Sequence, residues 1–167
     1  MSDASNFGNR SDYLQIEPEP WSSWWAEQYG TPTELFDDYS FWQRGKYTIW
    51  VAAADIQPGA VSPVDGIGIP LLRTGRDVWK PTSVAVIHFG RDVARNVVDL
   101  EADEASRFLG REAIEFENDA RAVLPHRGYV IARYLGVPIG CGLWRRGGLA
   151  SSVPKGRAMR DLELPRA

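Results

Sequence analysis

From Asn96 to Val153, turn residues interrupt the chain before any long element can form, and this spacing constrains the fold more than any other feature. Gly110 closes one short segment, Gly136 separates two apolar runs, and Arg145-Arg146-Gly147-Gly148 separates two more. The runs themselves are strand-like: Asn96 to Leu100, Ala113 to Phe116, Gly128 to Tyr134, Pro138 to Trp144 and Leu149 to Val153. Asn118 to Pro125 is a loop. Glu101 to Leu109 is the exception, with acids in its first turn and Arg107 in its last, an order that suits a helix dipole. One helix among short, turn-separated strands predicts a small mixed barrel.

The front half has a different grammar. Trp21, Trp24, Trp25 and Tyr29 share one helical face, with Ser22 or Ser23 near the cap. Thr31-Pro32-Thr33-Glu34 has the form of an N-cap, a proline at the first helical position and a capping-box acid, so a short helix through Leu35, Phe36 and Tyr39 is expected. Gly45 marks a turn. Lys46 to Ala53 and Gly68 to Arg73 read as strands, and Gln57 to Gly66, with its prolines and glycines, as a loop. Pro81 opens a helix whose apolar face is Val84, Ile87 and His88 or Phe89, closed by Gly90. The whole chain is therefore expected to be α+β. A disordered or loosely docked tail over residues 1–20 precedes an α+β module over 21–93, and a barrel-like domain follows over 94–167.

A content of 44% hydrophobic residues and 7 Trp is enough for a packed core. No run of 18 apolar residues exists, so no transmembrane helix and no membrane partner are expected. The first ten residues are polar and do not resemble a secretory signal. The single Cys141 excludes an internal disulfide and a multi-cysteine zinc site. These features predict a cytoplasmic setting. The net charge of −3 hides an asymmetry: residues 1–60 carry 9 acids and 3 bases, whereas residues 61–167 carry 13 acids and 16 bases. Arginine dominates the bases, 16 against 3 Lys, and suits bidentate phosphate contacts and base stacking.

Asn96-Val97-Val98-Asp99-Leu100, Ala105-Ser106-Arg107-Phe108-Leu109-Gly110, Gly128-Tyr129-Val130-Ile131 and Gly136-Val137-Pro138-Ile139-Gly140-Cys141-Gly142 together resemble a PUA domain, the RNA-binding module of pseudouridine synthases and archaeosine transglycosylases. Upstream, Lys80-Pro81-Thr82-Ser83, an apolar helix and the stretch from Arg91 to Asn96 are similar to the segment before the PUA domain in two groups. One comprises small archaeal and eukaryotic factors for large-subunit ribosome assembly, built as a pre-PUA module plus a PUA domain. The other is the C-terminal RNA-binding region of Sun-type RNA cytosine-5 methyltransferases, whose tail Ser152-Val153-Pro154-Lys155-Gly156-Arg157 also resembles. The chain is too short to hold the methyltransferase domain, and Cys141 lies in Gly-Cys-Gly rather than in a Pro-Cys motif. The resemblance implies RNA binding without catalysis and without a cofactor.

Other motifs have plainer readings. Asp65-Gly66-Ile67-Gly68 leads into Pro70 and a strand, so it is a turn rather than a nucleotide loop. His88 and His126 have no companion ligands. Asp37-Asp38 and Asp103-Glu104 fit helix solvation or dipole pairing. Trp144 is a candidate either for base stacking or for the core.

The basic residues are the candidate site. Lys80, Arg91 and Arg95 flank the pre-PUA helix, and Arg107 and Arg111 flank Gly110. Arg145, Arg146, Lys155, Arg157 and Arg160 crowd the hairpin tip and tail. Neutralising phosphates releases counterions, which makes these positions RNA contacts; the plainer alternative is a solvated surface of Arg–Glu pairs. The expected partner is structured RNA, rRNA or tRNA, met during ribosome assembly or RNA modification. A ribosomal subunit or a modification enzyme would be a further partner. The rival expectation is a protein-interaction adaptor that uses the Trp-rich front half. A continuous positive strip across the PUA-like helix and tail would favour RNA, and interleaved acids would favour the adaptor.

Overall fold

The structure, a computed structural model, describes residues 13–56, 66–116 and 127–165. It is α+β, with two five-stranded sheets and three α-helices among these residues.

The first sheet is an antiparallel meander of β1 (Tyr13–Ile16), β2 (Tyr39–Arg44), β3 (Thr48–Ala53), β4 (Ile69–Arg73) and β5 (Lys80–Pro81). Two of these strands correct the sequence reading. The loose tail expected through Pro20 is instead paired at Tyr13–Ile16, register Tyr13↔Arg44, and Tyr13 is buried against Trp42, Ala52 and Ile67. The helix expected through Tyr39 stops at a single 3₁₀ turn, Thr33–Phe36. The Thr31 hydroxyl is buried without a hydrogen-bond partner among the described residues, and after a turn at Asp37–Asp38 the six residues Tyr39–Arg44 extend as β2. The local capping signal loses to cross-strand pairing of an aromatic segment, Trp42 opposite Trp50 and Phe41 opposite Val51. Gly68, at φ +59, turns the chain into β4. A Cβ there would lie 1.9 Å from the Val51 carbonyl oxygen, so the Gly66–Gly68 motif is a turn with a steric requirement for glycine. Most of the loop expected at Gln57 to Gly66, and all of that expected at Asn118 to Pro125, lie outside the described residues, as does His126.

The second sheet is mixed, in the order β6 (Val97–Asp99), β8 (Arg127–Tyr134), β9 (Val137–Arg145), β10 (Gly148–Ser151), β7 (Ala113–Glu115), with β6 parallel to β8 and the rest antiparallel. Helix α3 (Ala102–Leu109) packs on one face. The capping box at its start is complete: Glu101 accepts from the backbone of Glu104, and the Glu104 carboxylate accepts from the Glu101 N–H at 2.9 Å. Phe108 of α3 lies over β9, where Gly140 and Gly142 leave room for its ring.

Helices α1 (Trp21–Tyr29) and α2 (Ser83–Phe89) cover the opposite face of this sheet. Alternation along β8 and β9 therefore serves two cores. Tyr129, Ile131 and Cys141 join Trp25, Tyr29, Phe41, Leu72 and Val86 on one side. Val130, Ala132 and Trp144 join Phe108, Ile114 and Leu149 on the other. The central residues of β8, Tyr129 to Ala132, are accordingly buried on both faces. On α2 the buried positions are Ser83, Ala85, Val86 and Phe89, while Ile87 is 50% exposed. The Thr82 hydroxyl caps α2 by accepting from Ala85 N–H and donates to the Pro70 carbonyl.

The stretch between the sheets is latched. Ala94 and Arg95 N–H both reach the Tyr29 carbonyl, and the Asn96 amide donates to the Gln28 carbonyl at 2.7 Å. The two sheets therefore share a continuous apolar core through α1 and α2.

Candidate functional site

The ten predicted basic positions fall into three groups. The first is structural. Arg95 donates to the Glu27 carbonyl at 3.3 Å and packs against Gly30. Arg107 pairs with Glu112 at 3.1 Å and donates to the Ala113 carbonyl, tying the end of α3 to β7. Arg91 is exposed beyond α2.

The second group borders the C-terminal end of α3. The tail returns there: Met159 N–H donates to the Leu109 carbonyl, and the Ser106 hydroxyl donates to the Leu162 carbonyl at 2.6 Å. The tail thus runs past the end of α3, with the Met159 carbonyl near Gly110; Arg111, the next residue, is exposed at φ +70, and Arg160 and the 3₁₀ turn Lys155–Arg157 lie on the same tail, exposed. The strip across α3 itself is not continuously positive, because Asp103, Glu104 and Glu112 interleave with it.

The third group is at the other end of β10. The hairpin register sets Arg145 opposite Gly148 and Gly142 opposite Ser151. The four residues of β10 thus span roughly 10 Å between the Arg145–Arg146 turn and the start of the tail. Strand β10 therefore separates the Arg145–Arg146 turn from the tail that carries Lys155, Arg157 and Arg160.

Arg145 instead faces the first sheet across a groove with two adjoining hollows of about 370 Å³ each, which share Gly75, Arg76, Val78 and Tyr129. Arg73, Lys80, Tyr47 and Thr48 line one hollow; Asp77, Leu143 and Arg145 line the other. Thr48, Arg73 and Lys80 are cross-strand neighbours, and the Lys80 ammonium lies 5.6 Å from the centre of the Tyr129 ring. Arg73, Arg76 and Arg145 make no ion pair among the described residues. Sequence reasoning found Lys80 and Arg145 but missed Arg73, Arg76 and Tyr47. The available signal was a basic pair spaced around Gly75, directly before Lys80.

The tryptophans serve packing. Trp25 is fully buried, and Trp21 and Trp24 lie against Trp79 at 4.8 and 5.6 Å. Trp144 is a core residue stacked on Phe116, which removes it as a base-stacking candidate. His88 is exposed, with its Nε2 3.4 Å from the Tyr39 hydroxyl. Cys141 is wholly buried, and burial pushes its thiol up to about 12. Burial also raises the Tyr29 hydroxyl well above its ordinary range while it donates to the Tyr129 carbonyl. No group of three His, Cys, Asp or Glu among the described residues is placed to hold a metal ion. No described helix is long and apolar enough to cross a membrane.

Residues 95–159, from the last turn before β6 to the docked tail, match the family model described as the methyltransferase RsmF PUA domain. The back half is thus PUA-like. Residues 17–68 match a family of unknown function, DUF7122. No curated protein matches the chain.

Proposed function

We propose that this chain is a non-catalytic, cytoplasmic RNA-binding protein that engages structured RNA, rRNA or tRNA, in ribosome assembly or RNA modification. The observation that carries the reading is the match of residues 95–159 to the methyltransferase RsmF PUA domain. The exposed cations agree with it. Arg111 at the end of α3 and Lys155, Arg157 and Arg160 on the tail that docks there are exposed and make no ion pairs among the described residues. Such a surface reads backbone and shape more than sequence. The acids interleaved along α3, Asp103, Glu104 and Glu112, count toward the adaptor reading, but the Trp-rich surface it would use is engaged in packing: Trp25 is interior and the Trp21, Trp24 and Trp79 rings pack on one another.

The test is a salt titration of binding to structured rRNA fragments. Lys155→Ala with Arg157→Ala should weaken binding and reduce the slope of log affinity against log salt by roughly 0.7 for each contact made to unpaired RNA. A wild-type chain that binds no structured RNA at low salt would end the proposal.

A further inference from the structure

We infer that the groove between the two sheets is a second RNA site, one that takes the phosphodiester backbone of a single strand. The inference rests on the RNA-binding reading above but not on the surface at the end of α3.

Three observations carry it. First, like charges converge in a concavity. Arg76, in the loop between β4 and β5, lines both hollows, with Arg73 and Lys80 of the first sheet in one and Arg145 of β9 in the other; Lys80 lies against Tyr129, and Asp77 is the one acid lining the groove among the described residues. Cations set together without matching carboxylates repel one another, and a concave wall of low dielectric concentrates their field. A bound phosphate relieves that repulsion, and guanidinium groups meet it with paired N–H donors.

Second, an aromatic ring is fixed at the rim. Tyr47 is 48% exposed, yet its carbonyl accepts from both the N–H and the hydroxyl of Thr74. Gly75 lies against the ring so closely that a Cβ there would sit 2.9 Å from its Cγ. An exposed ring held in place beside a cationic track is what a sequence-tolerant single-strand site requires, because every base has a face to stack.

Third, the dimensions select the ligand. Hollows of about 370 Å³ fall in the small-ligand range, which suits a nucleotide of a single strand better than a duplex. Arg73, Arg76 and Lys80 lie between residues 68 and 95, where neither family match extends, so the groove is not a property of either matched segment alone.

The full chain is titrated by fluorescence anisotropy with a labelled single-stranded oligoribonucleotide, a blunt duplex of the same length and a polyglutamate peptide. Wild type is compared with Arg73→Ala/Arg76→Ala, Tyr47→Ala and Lys155→Ala/Arg157→Ala, each checked for unchanged melting temperature. The inference expects the first variant to lose single-strand affinity about tenfold or more. Its salt slope should also fall by roughly 1.4, that is 0.7 for each of two phosphates. Tyr47→Ala should weaken single-strand binding while leaving the salt slope in place. Single-strand binding that is unchanged in the first two variants overturns the groove and leaves the RNA reading standing. Polyglutamate held more tightly than RNA makes the groove a site for acidic protein segments and overturns it too. Loss of all RNA binding in wild type removes both proposals.

Discussion

Phe108 and Gly142 should behave as one unit. The Phe108 ring is fully buried between α3 and β9, and a Cβ on Gly142 would lie 3.1 Å from its Cε2 and 2.5 Å from Leu149 Cδ1. Phe108→Ala empties a dry core and should cost about 3–5 kcal/mol. For a chain of this length that is a fall in melting temperature of roughly 6–20 °C, at about 2–4 °C per kcal/mol. Gly142→Ala alone overfills the same space and should cost about 1–3 kcal/mol. In the double variant the missing ring gives Leu149 somewhere to go, so the added methyl becomes cheaper. Urea denaturation of the four proteins measures the coupling, expected at about 0.5–3 kcal/mol in favour of the double variant. Costs that add to within about 0.5 kcal/mol would refute the claim that the glycines of β9 exist to seat this ring.

Cys141 should resist thiol reagents in the native protein at mildly alkaline pH and react fully in denaturant, because its thiol is buried and holds its proton up to about 12. The unfolded thiol ionises near 9.0, so this group's contribution to stability is present below that value and is lost as pH climbs toward 12. Denaturation midpoints across that range should fall less steeply in Cys141→Ala. Gly68→Ala should destabilise measurably by urea titration, since a Cβ would meet the Val51 carbonyl at 1.9 Å, whereas Arg91→Ala, at an exposed position, should change stability by less than about 0.5 kcal/mol.

The back half was legible because its signals are local. Turn glycines and short apolar runs placed β6 to β10 within a residue or two, and acids in the first turn with Arg107 in the last announced α3. Strand β1 was not legible, because Tyr13–Ile16 sits in a polar stretch and becomes a strand only when β2 pairs with it. The same is true of β2, where a convincing cap at Thr31 competes with a partner strand that no local window contains. The site was legible as a set of cations but not as a grouping. Nothing near Arg145 in the chain says that Arg76 lines the same hollow; the packing of α2 between β4 and β9 does. Arg95 and Arg107 resemble the other arginines in sequence and differ only in the backbone carbonyls that the fold brings to them.

Crosslinking of the chain to RNA in living cells, followed by sequencing of the attached RNA, tests the central claim most directly. The account predicts enrichment of structured rRNA or tRNA, with recovery reduced when Lys155 and Arg157 are both Ala. Recovery of RNA no greater than from an uncrosslinked control would contradict it.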